Sequence, residues 1–246
     1  DIPVKDVIIP MFGPVLDDIL HHDHTHYVCE GGRGSTKSSL ISIAIPLIML
    51  SNPNVHAVVF RKVGNTMKNS VWSQVVWGIN KLGLDPLFHI PKSIASPITL
   101  KHTGQQILFF GLDDPQKVKS VKLPFGYIGI TWFEELDQFA GENEIRTVTQ
   151  STMRGGEKYW DFRTFNPPIS KNNWANMYAE KAFSYSKSTL VTRNTYLSVP
   201  PQWLGPQFFE EAEELKAIGL GEKEIEQLHI ENKAIYEINT NIDKKQ

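Results

Sequence analysis

One cysteine, Cys29, in a chain of 246 residues excludes an internal disulfide framework and fits a reducing compartment. On a short apolar stretch it reads as a small buried hydrophobe. Long hydrophobic runs are missing too. The longest, Leu40 to Leu50, is too short to span a bilayer and carries Pro46. The opening Asp1-Ile2-Pro3 does not read as a signal peptide. Neither sign of charge dominates: 25 Lys+Arg against 27 Asp+Glu leave a formal net charge of -2. No global basic field exists, so any contact with nucleic acid has to use a local patch. No repeat of 20–50 residues is evident. What remains is ordinary for a globular protein, at 41% hydrophobic and 21% charged residues. The length suits one large α/β domain, alone or with a small subdomain.

What is present is organised around Cys29-Glu30-Gly31-Gly32-Arg33-Gly34-Ser35-Thr36-Lys37-Ser38-Ser39. The apolar stretch before it, His26 to Cys29, reads as a strand, and Leu40 to Leu50 after it as a buried helix. A strand, a glycine-rich turn, a lysine and a hydroxyl at a helix start make a phosphate-binding loop. Glycines let the backbone curl so that successive N–H groups face the phosphates. The helix start adds unpaired N–H groups and partial positive charge. The nucleotide-binding candidates are therefore Gly32, Arg33, Gly34, Ser35, Thr36, Lys37, Ser38 and Ser39. Lys37 would reach the β- and γ-phosphates and Ser38 would hold Mg2+. Counted from Gly31, Thr36 occupies the place of the last glycine in G-x-x-x-x-G-K-[ST]. On the pattern alone, a Gly/Ser-rich loop with a solvent lysine also fits.

A second stretch favours the phosphate loop. Tyr127-Ile128-Gly129-Ile130-Thr131-Trp132-Phe133-Glu134-Glu135 is an apolar strand ending in two carboxylates. This is the second half of a P-loop ATPase site, on a strand expected beside the P-loop strand. Glu134 would assist the metal, and Glu135 would orient and polarise the attacking water. Taken singly, a strand end with two exposed acids is common. Third, Tyr159 to Phe165 reads as a strand running into Asn166-Pro167. An amide at such a strand tip can sense a γ-phosphate; a turn residue reads equally well.

The rest alternates. Val55 to Phe60 reads as a buried strand ending in Arg61-Lys62, and Thr66 to Leu82 as a helix. Ile98 to His102 and Gln106 to Phe110 read as a β-hairpin. A helix start at Pro115, helices over Glu142–Met153 and from Asn172, and a strand over Leu190–Thr192 follow. Two further helices are expected over Gln207–Ala217 and Glu222–Leu228. This pattern gives an α/β P-loop NTPase fold: a mostly parallel, doubly wound sheet with helices on both faces and a small C-terminal helical appendage. Residues 1–185 are assigned to the ATPase core, and 186–246 to a last strand and a helical appendage or linker. His21-His22-Asp23-His24-Thr25-His26 offers metal-ligand types without a second supporting cluster, and a His-rich surface turn is the plainer reading.

Together these stretches resemble the N-terminal ATPase domain of the large terminase subunit of tailed bacteriophages. The carriers are Gly31 to Ser39, Phe60-Arg61-Lys62 with Asn69-Ser70-Val71-Trp72, and Trp132-Phe133-Glu134-Glu135. Thr164-Phe165-Asn166-Pro167 and Thr195-Tyr196-Leu197 with Trp203-Leu204-Gly205 complete the set. The similarity runs from about Tyr27 to about Leu215. It implies a Mg2+-dependent ATP hydrolase that moves double-stranded viral DNA into a procapsid. It also implies a ring of copies, pentameric when assembled, on the portal protein, with the small terminase subunit as a further partner. The setting implied is the host-cell cytoplasm and, transiently, the procapsid, with no membrane partner. Carried over residue by residue, Glu135, Arg33 and Lys37 are catalytic, Ser38 and Glu134 hold the metal, and Asn166 couples hydrolysis to movement. Glu134 stands where the family more often has aspartate. An arginine acting between subunits would be Arg61, Arg154 or Arg163. Lys62, Lys68, Lys117, Lys119 and Lys122 are the candidate DNA surface. The family's nuclease domain needs clustered aspartates. Asp243 alone follows Asp161, so nuclease activity is not expected in this chain. Two other classes stay open: a helicase-like or kinase P-loop enzyme, and a non-catalytic nucleotide-gated scaffold.

Overall fold

The computed structural model describes residues 4–32, 34–112 and 121–206, with single positions 210, 213 and 217. The helix expected over Gln207–Ala217 lies mostly outside these residues. The helix over Glu222–Leu228 and the helix start at Pro115 lie wholly outside.

Eight strands form one sheet: β1 His26–Gly31, β2 Val55–Arg61, β3 Phe88–His89, β4 Ile98–Leu100, β5 Gln106–Gly111, β6 Tyr127–Glu134, β7 Trp160–Phe165 and β8 Thr189–Asn194. Their order is β3-β4-β5-β2-β6-β7-β1-β8. Pairing is parallel from β5 through β8, while β3-β4-β5 make an antiparallel edge that includes the expected hairpin. A central parallel strand is covered on both faces and needs continuous apolar residues. Val55–Arg61 is such a run and is buried throughout. The strand expected after residue 185 is β8. It pairs with β1 over six residues, so the sheet continues past that boundary.

One face of the sheet carries α1 (Gly13–His21), α2 (Lys37–Ser51) and α3 (Ser73–Lys81). They pack on Tyr27, Val59, Ile130, Trp132, Trp160 and Phe162. The other face carries α4 (Glu142–Thr152) and α5 (Trp174–Tyr185), packed on Val58, Phe60, Phe133, Phe165 and Val191. α2 is apolar almost all round because it lies between the sheet and its neighbours α1 and α3. Its Pro46 has no N–H to give the Ser42 carbonyl one turn back. Gly78 of α3 sits against that carbonyl. A Cβ there would come within 2.2 Å of the oxygen, so the two backbones cross with no side chain between them.

The helix expected over Thr66–Leu82 is not continuous. A 3-10 turn (Gly64–Thr66) and a π turn (Lys68–Trp72) precede α3. The reason lies in Arg61, whose guanidinium takes the Thr66 and Ser70 hydroxyls at 2.9 and 2.8 Å.

A further correction concerns strand order. β6 does not lie beside β1, because β7 stands between them. The join is polar and buried. Asp161 of β7 accepts from the Thr131 hydroxyl of β6 at 2.8 Å and from His26 Nδ1 of β1 at 2.8 Å. Arg163 pairs with the same carboxylate at 2.8 Å. Burial opposes ionisation of Asp161, but Arg163, His26 and Thr131 together outweigh it and hold the carboxyl below the usual range.

Near the start of the chain, His24 Nδ1 pairs with buried Asp18 at 2.8 Å. That hydrogen bond raises the imidazole above its usual 6.5 despite partial burial. A histidine raised in the folded state contributes stability that is full below 6.5 and fades as pH climbs through the raised value. Urea midpoints should therefore fall over that climb in the unsubstituted chain, and Asp18→Asn should flatten this part of the profile. An equal fall in the variant would refute the assignment.

Candidate functional site

β1 ends at Gly31 against the tip of β8. A Cβ on Gly31 would meet the Asn194 carbonyl at 2.2 Å, which only glycine avoids. Asn194 is buried, and its Nδ2 donates to the Ser35 carbonyl inside the loop. The loop turns at Gly34 (φ 77°) and Thr36 (φ 60°, ψ 13°), both left-handed. This explains why the sequence pattern wants glycine where Thr36 stands: a β-branched residue is strained there. Thr36 makes no side-chain hydrogen bond to the first turn of α2. The buried hydroxyls of Ser35 and Thr36 have no hydrogen-bond partner among the described residues. A helix start left uncapped beside unsatisfied donors fits an anionic guest. Gly32, Gly34, Lys37, Ser38 and Ser39 all lie in this loop or the first turn of α2. Arg33 lies outside the described residues.

Lys37 reaches from α2 to the tip of β7, where its Nζ donates to Asn166 Oδ1 at 2.6 Å and to the Gly32 carbonyl at 3.4 Å. β7's position explains the contact. Glu30 of β1 pairs with Phe165, and Thr164 pairs with Glu134 of β6, so Asn166 stands between the loop and the acids. Glu134 closes β6. Glu135 then takes a left-handed conformation (φ 56°, ψ 56°) at the residue before the turn Leu136–Gln138, with no side-chain hydrogen bond to that turn. Burial pushes the Glu134 carboxyl up, partly offset by Arg61 and Lys37. Both acids meet Arg61 from the tip of β2: its Nε lies 2.9 Å from Glu134 Oε2, and its other end contacts Glu135 Oε2. These are ion contacts without hydrogen-bond direction, and both carboxylate oxygens lack a hydrogen-bond partner among the described residues. The residue types that can offer a cation oxygen ligands here are the Glu134 carboxylate at the end of β6 and the Ser38 hydroxyl in the first turn of α2.

Three residues were not anticipated in these roles. Asn194 carried no sequence signal beyond preceding Thr195-Tyr196-Leu197. Arg61 was marked by its place at a strand end, but not as a partner of both acids. Asp137 feels the Lys37 charge, although burial dominates and raises its carboxyl.

The structure narrows other expectations. Arg61 and Arg163 are 7% and 6% exposed and engaged within this chain, on Glu134/Glu135 and Asp161. Arg154 is exposed, beyond the end of α4 and toward the opposite strand ends. Of the candidate DNA surface, Lys62 is held by Glu144 at 2.6 Å, Lys68 and Lys122 are exposed, and Lys117 and Lys119 lie outside the described residues. His21, His22, His24 and His26 bond to Asp17, Tyr159, Asp18 and Asp161 in turn. No metal-holding cluster of His, Cys, Asp or Glu occurs among the described residues, and no described helix is long and apolar enough to cross a membrane.

Comparison with known proteins gives a family and a shared fold. A family model described as phage terminase large subunit matches residues 23–239. The large terminase subunit of Bacillus phage SPP1 is 35% identical over 219 residues, covering 87% of this chain and 50% of that protein. The large terminase of the thermophilic bacteriophage D6E superposes with a TM-score of 0.62 at 16% identity, over 81% of this chain and 49% of that one. The same D6E protein in complex with ADP gives a TM-score of 0.61 at 14% identity, with the same coverage. The chain thus spans about half the length of these relatives.

Two substitutions separate strain from fit in the loop. Thr36→Gly should stabilise the chain by about 1 kcal/mol, because a left-handed strain is removed. Gly31→Ala should destabilise it by roughly 1–3 kcal/mol, because the new Cβ displaces Asn194. Denaturant midpoints read both; a stabilising Gly31→Ala would contradict the described contact.

Proposed function

Since the chain belongs to the phage terminase large-subunit family, we propose that it is the ATP-hydrolysing part of a motor that moves double-stranded DNA into a procapsid. One observation carries the reading. The Lys37 ammonium, the Asn166 amide and the Glu134/Glu135 pair gather at the C-terminal ends of neighbouring parallel strands, where α/β folds bind ligands.

The chemistry follows from the residues. The loop amides and Lys37 bind the phosphate chain of ATP, with Arg33 adding charge from within the loop. Ser38 and Glu134 hold Mg2+, whose contribution when bound is to neutralise charge on the phosphates. Glu135 accepts a proton from a water. As the water oxygen bonds to the terminal phosphorus, the bond from that phosphorus to the ADP oxygen breaks. Asn166, bonded to Lys37, is placed to register the loss of the terminal phosphate. Arg61 contacts both acids while the site waits, and Glu135 has to leave it to reach the water.

The substrate polymer and the partners belong to the same proposal: double-stranded DNA, the portal protein, the small subunit and further copies of this chain in a ring. The hydrolase reading covers residues 1–185 together with β8, and assigns no nuclease to this chain.

Phosphate release tests it. Glu135→Gln should lower turnover by about a hundredfold or more while nucleotide binding persists, and Lys37→Ala should lose nucleotide binding itself. Full turnover in Glu135→Gln removes the assigned base. A flat trace with nucleotide bound, in the unsubstituted chain, replaces the hydrolase with a nucleotide-gated scaffold. Turnover that rises steeply with protein concentration would show neighbouring copies completing the site.

A further inference from the structure

β8 stands at the edge of the sheet, and its last two residues meet the phosphate loop at both ends. Arg193 lies opposite Glu30, the residue before Gly31, and its Nε donates to the Glu30 carboxylate. Asn194 lies opposite Gly31, and its Nδ2 donates to the Ser35 carbonyl, past the turn at Gly34. Successive strand side chains point to opposite faces, so the two bonds come from the two sides of the sheet. Arg193 shares its face with Val191 and is itself held on α5, by Glu180 and with its guanidinium 4.8 Å from the centre of the Phe183 ring. Asn194 shares its face with Leu190 and is 2% exposed, and Ser35 is fully buried. A Cβ on Gly31 would lie 2.9 Å from Asn194 Oδ1 and 2.8 Å from Ser35 Oγ, so both side chains close on a bare Cα. The chain turns at once after Asn194. The Leu197 N–H donates to Thr195 Oγ1 at 3.0 Å, and the Ser198 N–H to the Thr195 carbonyl at 3.1 Å.

We propose that Asn194 is a positioning residue for the phosphates of the nucleotide, aiming the loop's backbone donors, with Arg193 as the second point of the same clamp. The proposal rests on the phosphate-loop reading and adds which residues outside the loop shape it. The Ser35–Thr36 peptide is trans, and a trans peptide holds its C=O and N–H on opposite sides. Fixing the Ser35 carbonyl on Asn194 therefore fixes the direction of the Thr36 N–H, one of the amides that the phosphate reading needs. The loop cannot do this alone. Its own contact from the Ser35 N–H to the Gly32 carbonyl is long at 3.4 Å, and Thr36 sits in the left-handed region that a β-branched residue avoids. Released from Asn194, the Ser35–Thr36 peptide is free to turn, and its N–H turns with it. The Arg193 bond to Glu30 fixes where the loop leaves β1, so the turn is anchored before and after. A bond that served the fold alone would move stability and leave phosphate affinity unchanged.

The test compares ADP and tripolyphosphate on the 246-residue chain by calorimetry. Asn194→Ala should weaken both probes equally, by about fivefold, the worth of one hydrogen bond. Asn194→Asp keeps the shape but sets a carboxylate against the Ser35 carbonyl, and should cost more, about thirtyfold. Asn194→Ser keeps a shorter donor and should fall between the unsubstituted chain and Asn194→Ala. In phosphate release by Asn194→Ala, KM for ATP should rise by the same factor with kcat within about twofold. Hydrogen exchange reads the clamp in the unsubstituted chain, whether or not the variants fold. Tripolyphosphate should slow exchange over residues 189–199 as well as over the loop. Unchanged affinities in folded Asn194→Ala or Asn194→Asp, a loss confined to ADP, or protection confined to the loop overturns the clamp while the phosphate loop stands. Failure of the unsubstituted chain to bind either probe overturns the phosphate-loop reading and this proposal with it.

Discussion

The arrangement depends on one buried carboxylate. Asp161 is fully buried and joins three strands: its own, β6 through Thr131 and β1 through His26. Breaking a buried ion pair by removing one partner typically costs ~3–5 kcal/mol, because the remaining charge is stranded. The larger consequence is geometric. A one-residue slip of β7 would turn every side chain to the other face. Asp161 could then meet neither neighbour, and Asn166 would leave its place between Lys37 and Glu134. The polar tie inside the sheet therefore sets the spacing of the groups at its edge.

Above that tie the site holds residues in conformations that nothing local favours. Thr36 and Glu135 are two of three non-glycine residues with positive φ among the described residues, and both follow the C-terminal ends of parallel strands. Strain of this kind persists where the surroundings over-determine it. For Thr36 the surroundings are the loop and Asn194; for Glu135 they are Arg61 and the turn that follows. Oxygens of Glu134 and Glu135 and hydroxyls of Ser35 and Thr36 lack hydrogen-bond partners among the described residues, at the ends of strands on either side of β7. The loop thus carries an unmet demand for a hydrogen-bonding guest, while the charge of the acids is answered by Arg61.

Local chemistry was legible in the sequence and long-range placement was not. Gly31 to Ser39 announced the loop because glycine, lysine and hydroxyl each have a local task there. Tyr127 to Glu135 announced a strand with acids at its tip, and Thr103-Gly104 announced the hairpin. The interposition of β7 could not be read, since it rests on Asp161 meeting residues 30 positions before it and 135 positions before it. The break in the helix before α3 was hidden for the same reason: no proline marks it, and its cause is Arg61, a strand residue. Lys62 reads as part of a basic surface in the sequence, and Glu144, 82 positions on, pairs with it in the fold. Asn194 had no pattern to show, as its task is to support a loop more than 150 residues earlier.

The bare crossing of α2 and α3 has a mechanical consequence. Where side chains separate two helices, a tilt of one can be absorbed by rotamer changes. At Gly78 and the Ser42 carbonyl there is nothing to yield. α3 continues directly from the π turn whose Ser70 grips Arg61. A pull on the first turn of α2 is therefore passed as if through a rigid linkage to the guanidinium that holds both acids, along a route that bypasses the sheet.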